Sequence, residues 1–341
     1  VPPDGAATMR RMPPSLPSII SRLHFKHLRL LVALAEQGSL VKAAGQIHMT
    51  QPGATKALQD IEAALGGTLF TRNNRGLVPN ALGQCVLHYA RLILTDVAHL
   101  REEMIGVLQG HGGRLSVGTI MGAVPFLTET LSRLIAGQPT LSIEIVEDTS
   151  AHLLRLLDEG RLDAAICRTS ISKHPELYQV VKVREEQLAV VANTQHPLAG
   201  SRRLAIADLA AYRWVVYSAN MPMRLLLEHE FREADLPFPA QLIETTSAFA
   251  TLSFLQTHPT MVALLSVDVA RFCQNFGLTP VLPLALQSRS EPYWLVTRRD
   301  RPATPVAQLL MAAFAEAAQG AAPLRGKRRT RTPPGAQPTS T

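Results

Sequence analysis

Four side chains at the start of one predicted helix have the chemistry needed to read a nucleic acid. They are Gln51, Thr55, Lys56 and Gln59. Their amide, hydroxyl and ammonium groups can bind base edges and phosphates in a DNA major groove. All four lie outside the apolar stripe of the helix, which consists of Ala54, Ala57, Leu58, Ile61 and Leu65. An ordinary solvated helix face is the alternative, so the surrounding elements must decide between the two.

The segment from Ser39 to Gly66 is predicted to form two short helices joined by a tight turn. Ser39 is a suitable N-cap for the first helix, and Thr50 caps the second. Pro52 lies in the first turn of the second helix, where the missing proline N–H costs nothing. Small alanines on the facing sides permit the close approach that a DNA-binding helix-turn-helix requires.

A helix and a hairpin flank this pair. Phe25 to Glu36 is predicted to form the first helix of the module, and Gly38 ends it. Residues 68–79 are predicted to form two short strands joined by a turn at residues 73–76, which is a wing. Arg72 and Arg75 would reach DNA phosphates from this wing, and a solvated hairpin is the alternative.

Positive charge is concentrated on this module and at the two ends of the chain. Residues 23–80 carry six Lys or Arg against three acids, within a chain of net charge +7. The tail from residue 320 onward adds five basic residues and no acid. This distribution is typical of a protein that faces phosphates.

Four segments of the chain together resemble the LysR-type transcriptional regulators. They are residues 27–44, Thr50-Gln-Pro-Gly-Ala-Thr-Lys56, Leu69-Phe-Thr-Arg-Asn-Asn-Arg75 and Leu82-Gly83. The resemblance extends over residues 23–319. It implies an α/β protein with an N-terminal winged helix-turn-helix, a long linker helix and a two-lobed periplasmic-binding-protein-like effector domain. The predicted DNA-binding residues are Thr50, Gln51, Pro52, Thr55, Lys56, Gln59, Arg72 and Arg75.

A long helix capped by Asn80 follows the wing. Its apolar residues are spaced alternately by four and three positions, which is the pattern of a heptad seam. They are Val86, Ala90, Ile93, Val97, Leu100, Met104 and Val107. Such a stripe needs a partner, and a second copy of the chain is predicted, in a dimer or tetramer. Packing onto the chain's own domain is the alternative. Gly110, Gly112 and Gly113 would end the helix and form a linker.

Strands and helices alternate from Arg114 onward, which predicts an α/β domain with mainly parallel strands. Strands are expected at 114–120, 141–147, 163–167, 187–193, 213–217, 241–245, 260–265, 278–284 and 292–298. The predicted domains are a disordered extension (1–22), the winged helix-turn-helix (23–80), the dimerisation helix and linker (81–113), lobe I (114–186 and 288–319), lobe II (187–287) and a disordered basic tail (320–341).

A ligand is expected between the lobes, where loops at the carboxyl ends of strands supply hydroxyl and N–H groups. The predicted effector-binding residues are Ile120, Met121, Gly122, Arg168, Thr169, Ser218, Thr246 and Ser247. The family usually has serine or threonine where this chain has Met121, so backbone N–H groups would bind there. Arg168 is the one cation among these loops and could bind a polar or anionic metabolite. A salt bridge to a nearby acid is its alternative role.

No catalytic, cofactor-binding or metal-binding motif competes with this interpretation. Cys85, Cys167 and Cys273 are odd in number and far apart. Neither a disulfide framework nor a clustered metal site is therefore predicted, and a reducing compartment is inferred. No apolar run reaches the roughly 18 residues of a membrane span.

The sequence therefore predicts a cytoplasmic, homo-oligomeric, ligand-responsive regulator that binds a pseudo-palindrome in double-stranded promoter DNA. It is not expected to be an enzyme, and RNA polymerase is included as a further partner. One alternative is a solute-binding α/β protein whose N-terminal helical module docks a protein partner. The other is an enzyme that uses the α/β cleft.

Overall fold

The computed structural model describes residues 14–74, 76–109, 113–219 and 221–320. Within these residues the N-terminal domain has four helices and a two-stranded hairpin around one apolar core, which includes Leu30, Leu34 and Ile61. The elements are α1 (Leu16–Arg22), α2 (Phe25–Gln37), α3 (Leu40–Gln46), α4 (Gln51–Leu65), β1 (Phe70–Asn73) and β2 (Gly76–Pro79).

Residues 16–22 are helical, and the prediction of disorder over residues 1–22 is wrong for this part. Pro17 lies in the first turn of α1, where proline is tolerated. Helix α1 also contacts α4, so tertiary packing orders a segment whose sequence shows no apolar period. Residues 1–13 and 321–341 lie outside the described residues, as do the predicted linker residues Gly110 and Gly112.

The helices of this domain begin and end at the signals read from the sequence. Gly38 and Gly66 end α2 and α4 with φ angles of 60° and 75°, which glycine adopts readily. Thr50 Oγ1 accepts a hydrogen bond from the Gly53 N–H at 3.3 Å at the start of α4. The turn between α3 and α4 passes through His48, whose φ of 59° is uncommon for a residue other than glycine.

The wing joins the long helix α5 (Ala81–Gln109) through one close backbone contact. Asn80 Oδ1 accepts a hydrogen bond from the Gly83 N–H at 2.9 Å, which is the predicted cap of α5. The Asn80 N–H in turn donates to the Leu69 carbonyl at 2.9 Å. Gly83 lies so close to that carbonyl that a β-carbon would overlap it.

Gly83→Ala is expected to lower the free energy of unfolding by about 1–3 kcal/mol, the usual range for overpacking. The added methyl group would meet backbone, which cannot turn aside as a side chain can. Urea denaturation followed by circular dichroism measures the change. Gly45→Ala is the matched control, because no atom lies within 4 Å of the methyl group it would add to α3. An unchanged midpoint for Gly83→Ala would contradict the close contact.

The apolar seam of α5 divides into two parts. Val86 packs against the core of the N-terminal domain and Ala90 is buried within the subunit, so packing onto the chain's own domain holds for this first part. The second part remains open to solvent in the subunit. Its residues are Ile93, Val97, Leu100 and Met104, which are 39%, 43%, 57% and 53% exposed.

The C-terminal part of the chain contains two sheets. We call the first sheet with its helices lobe I; its strand order is β4-β3-β5-β11-β6. Strands β3, β4 and β5 are parallel, and β11 is antiparallel to both β5 and β6. The elements are β3 (Arg114–Thr119), α6 (Val124–Gly137), β4 (Ser142–Glu147), α7 (Ser150–Asp158), β5 (Ala164–Cys167), β6 (Tyr178–Arg184), β11 (Tyr293–Arg298) and α11 (Pro305–Gly320).

The second sheet with its helices is called lobe II, and its strand order is β7-β10-β8-β9. Strand β7 is antiparallel to β10, and the other pairs are parallel. Two segments cross between the lobes, one between Arg184 and Leu188 and one between Leu284 and Tyr293. The elements are β7 (Leu188–Ala192), β8 (Arg213–Val216), α8 (Pro222–Glu233), β9 (Leu242–Glu244), α9 (Ala248–Thr257), β10 (Met261–Ser266) and α10 (Val267–Asn275).

Two strand predictions differ from the structure. Residues 278–284 form no strand and pair only through isolated bridges at Val281 and Leu284. Pro280 and Pro283 explain the difference, because proline has no N–H to donate to a ladder. Strand β6 was not predicted, although its sequence is rich in β-branched and aromatic residues.

Lobe I is fastened to α5 by an arginine that passes a glycine. Arg301, in the loop between β11 and α11, forms an ion pair with Asp96 of α5 at 3.3 Å. Gly160 follows α7 with a φ of 72°, and a β-carbon there would overlap the Arg301 guanidinium. Arg114 of β3 approaches Glu102 of α5 to 4.0 Å nearby. These contacts fix lobe I against the second half of α5.

Candidate DNA-binding surface and effector cleft

Helix α4 presents a polar face at its N-terminal end. Gln51, Pro52, Lys56 and Gln59 are exposed, as is the cap residue Thr50. Thr55 is half-buried, and its hydroxyl donates to the Gln51 carbonyl at 3.0 Å, which leaves its oxygen free to accept. In the described part of the chain, the side chains of Gln51, Lys56 and Gln59 have no hydrogen-bond partner. This face can therefore engage an external ligand without breaking internal bonds.

The wing is held beside this face by the backbone. The Leu77 N–H donates to the Gly38 carbonyl at 2.8 Å, which ties β2 to the loop after α2. Gly76 has a φ of 112° and lies too close to the same carbonyl for a β-carbon. Arg72 is exposed on β1. Arg75, predicted to contact phosphate, lies outside the described residues.

A cavity of about 210 Å³ lies between the lobes. It brings together five of the residues predicted from the sequence, which are Ile120, Met121, Gly122, Arg168 and Thr246. The Tyr217 hydroxyl of lobe II lies 3.9 Å from Met121 Sδ of lobe I, so the two lobes touch at this cavity. Burial raises the pKa of Tyr217, which keeps its phenol protonated.

Arg168 lines the cavity, but its charge is already met by the protein. The guanidinium forms a buried ion pair with Glu186 and donates to Ser290 Oγ at 3.1 Å. Glu186 and Ser290 belong to the two segments that cross between the lobes. Burial raises the pKa of Glu186, and the guanidinium opposes that rise. The prediction of Arg168 as a free cation for an anionic metabolite is therefore wrong, and the salt-bridge alternative holds.

Gly122 is packed against this pair. A β-carbon on Gly122 would overlap Glu186 Oε1 and approach Ser266 Cβ to 3.3 Å. The Ser266 hydroxyl also donates to the Gly122 carbonyl at 3.4 Å. Glycine at this position thus lets the loop after β3 rest on the carboxylate of the crossing segment.

Three predicted effector residues lie elsewhere. Thr169 borders a separate hollow on lobe I, with Ser170 and Glu291. Ser247 caps α9 by accepting a hydrogen bond from the Ala250 N–H at 3.2 Å. Neither Ser247 nor Ser218 lines the interlobe cavity. A capping role explains Ser247, because a hydroxyl at a helix start bonds the free N–H groups there.

Seven lining residues were missed by the sequence interpretation. They are Glu147, Asp148, Thr149, Ser150, Tyr217, Met221 and Met223. The first four follow the carboxyl end of β4, and Tyr217 follows that of β8, so the rule that selected the other loops would also have found them. Met221 and Met223 precede and begin α8, and no sequence signal distinguished them from core residues.

Other kinds of site were searched for in the described ranges. They contain no group of three or more His, Cys, Asp or Glu side chains that could hold a metal ion. No helix among them is long and apolar enough to cross a membrane. Burial raises the pKa of the Cys167 thiol to about 12, so this cysteine stays protonated in the lobe I core.

The fold and these two sites define a class of protein: a winged helix-turn-helix joined by a long helix to a two-lobed ligand-binding domain. The model of the bacterial regulatory helix-turn-helix protein of the lysR family matches residues 25–84. The model of the LysR substrate binding domain matches residues 108–319. The chain belongs to the LysR family of transcriptional regulators, which have a DNA-binding domain and an effector-binding domain.

Relatives and solved structures agree with this assignment. The chain is 32% identical over 296 residues to the "HTH-type transcriptional regulator GbpR" of Azospirillum brasilense, covering 86% of each chain. It is 38% identical over 207 residues to the "Small neutral protease regulatory protein" of Streptomyces coelicolor, covering 57% of this chain and 60% of that one. The fold is similar to that of CbnR, a LysR family transcriptional regulator, with a TM-score of 0.60 at 21% identity, covering 87% of this chain and 99% of that one.

Proposed function

We propose that this chain binds promoter DNA as a homo-oligomer and that a small molecule between lobes I and II changes how its DNA-binding domains are spaced. The observation that carries the proposal is the exposed, unpaired polar face of α4 beside the wing. Helix α4 would enter a major groove, and the wing would lie over the phosphate backbone. Because two copies related by a two-fold axis present two such helices, the target would be a pseudo-palindrome.

The proposed DNA contacts are those predicted from the sequence, with distinct roles. Gln51 and Gln59 would read base edges, since an amide can both donate and accept. Lys56 would contact phosphate or a base as a point charge, because it lacks the planar fork of arginine. Arg72 and Arg75 of the wing would contact phosphates.

The exposed second part of the α5 seam supports a dimer through this helix. Ile93, Val97, Leu100 and Met104 would pack against the same residues of a second copy. We keep the domain division given above, except that residues 16–22 belong with the DNA-binding domain. We further propose that the protein acts in the cytoplasm, contacts RNA polymerase and catalyses no reaction.

The Gln51→Ala variant tests the assignment of α4. It is expected to reduce discrimination between the operator and random DNA by about 1–3 kcal/mol, the range for one good base contact. Gel-shift titration of both DNAs at fixed salt measures the ratio of the two dissociation constants. Gln138→Ala, an exposed glutamine of the effector domain, is the control and should leave that ratio unchanged. If Gln51→Ala also leaves it unchanged, α4 does not read the bases.

A further inference from the structure

The interlobe cavity has two places where an anion would ordinarily bind, and the protein's own carboxylates occupy both. Glu186 takes the charge of Arg168. The second place is the N-terminal end of α7, where backbone N–H groups and the helix dipole favour negative charge. Asp148 Oδ1 already accepts the Thr149 N–H there at 2.7 Å. An anionic ligand would have to displace one of these groups or lie beside it.

Two polar groups at the cavity have no partner in the described part of the chain. Arg168 is 94% buried and lines the cavity, and its Nε–H makes no hydrogen bond. Glu147 also lines the cavity, and its carboxylate has neither a hydrogen bond nor an ion pair. The first group is an unused donor, and the second is an unused acceptor. A buried donor without an acceptor is costly, so a ligand that supplies one gains affinity.

A hydroxyl group satisfies both, because it donates one hydrogen bond and accepts others. An ammonium group could donate to Glu147 but could not accept from Arg168 Nε–H. A carboxylate or phosphate could accept from Arg168 but would meet Glu147, Asp148 and Glu186 as like charges. The remaining lining is apolar and includes Ile120, Met121 and Met223, which suits the carbon skeleton of a small molecule.

We propose that the interlobe cavity takes a neutral ligand bearing hydroxyl groups, with Glu147 and Arg168 Nε–H as its polar contacts and with Glu186 and Asp148 excluding anions. This inference rests on the proposed function, in that the cavity is the effector site. The volume of about 210 Å³ is below the roughly 300–1,000 Å³ of pockets for drug-sized molecules. The ligand is therefore small, such as a monosaccharide, a polyol or a phenol.

Thermal unfolding of the full-length chain with matched ligand pairs tests the proposal. The pairs are neutral hexoses and pentoses against the corresponding uronates, inositol against inositol phosphate, and phenol against benzoate. At least one neutral member should raise the Tm, with a dissociation constant about tenfold or more below that of its anionic partner. The sugar, polyol and phenol arms identify which source of hydroxyl groups the cavity prefers.

Two variants connect binding to the residues named. Glu147→Gln should weaken the neutral ligand about tenfold or more, since the amide presents a neutral acceptor in place of a charged one. Glu129→Gln, an exposed carboxylate of α6, is the matched control and should bind the ligand as the wild type does. Glu186→Gln should bind the anionic partner more tightly than the wild type, compared through the ligand-induced change in Tm of each variant.

The proposal is overturned if no neutral member raises the Tm, if an anionic member binds as well as its neutral partner, or if Glu147→Gln leaves binding unchanged. Gel shifts with operator DNA are run on the same preparations. Specific DNA binding together with a negative ligand result would overturn the assigned ligand class and leave the regulator function standing. Loss of specific DNA binding would count against the proposed function itself.

Discussion

The Ile93→Lys variant is expected to sediment as a monomer and to lose most of its operator affinity. Ile93 lies in the exposed second part of the α5 seam, with Val97, Leu100 and Met104. In a dimer built on this seam, two lysines would be buried against an apolar surface, and an unpaired buried charge is strongly unfavourable. Because a dimer holds two recognition helices on one site, its loss would lower operator affinity by orders of magnitude. Analytical ultracentrifugation and gel shifts measure both effects.

Ala98→Lys is the matched control for this variant. Ala98 is exposed on α5 and is adjacent to, but outside, the seam, so the same charge is added without entering the proposed interface. We expect this control to remain oligomeric and to bind the operator. An Ile93→Lys protein that also remains oligomeric would show that the subunits associate through another surface.

Arg168→Ala is expected to lower the free energy of unfolding of the effector domain by about 3–5 kcal/mol, the range for breaking a buried ion pair. The variant would leave the Glu186 carboxylate buried without its counter-ion, and Ser290 would lose a donor. DNA binding without effector should change less in the protein that remains folded, since α4 lies in a separate domain. Calorimetry measures the loss of stability, and gel shifts measure DNA binding.

A double variant separates the ion pair from the packing of its side chains. Arg168→Met combined with Glu186→Leu removes both charges and keeps most of the volume, and such replacements are often neutral or stabilising. We expect the double variant to unfold at a higher temperature than Arg168→Ala. A double variant that is as unstable as Arg168→Ala would mean that the pair contributes through shape and not through charge.

The elements of the DNA-binding domain could be predicted because their signals are local. Thr50, Gly66 and Asn80 act on atoms a few residues away, so the sequence contains all that is needed to place a cap. The helix at residues 16–22 could not be predicted in this way, because contact with α4 orders it. Likewise, the burial of Ala90 depends on α2, which is distant in sequence.

The chemistry of the cleft was only partly predictable for the same reason. The rule that ligands bind at the carboxyl ends of strands correctly selected Gly122, Arg168 and Thr246 as lining residues. It could not reveal that Glu186, 18 residues along the chain, faces the Arg168 guanidinium, because only the fold brings them together. Pro280 and Pro283 were visible in the sequence, and their missing N–H groups should have counted against a strand there.

The contact of Arg301 with Asp96 beside Gly160 determines which body moves when the cleft changes shape. Lobe I and the second half of α5 form one lever, whereas lobe II is joined to lobe I only by two crossing segments and the cleft contacts. In the frame of the long helix, cleft closure is therefore a swing of lobe II, with lobe I standing still. A fluorescent pair on α5 and lobe II would register that swing, and a pair on α5 and lobe I would stay silent.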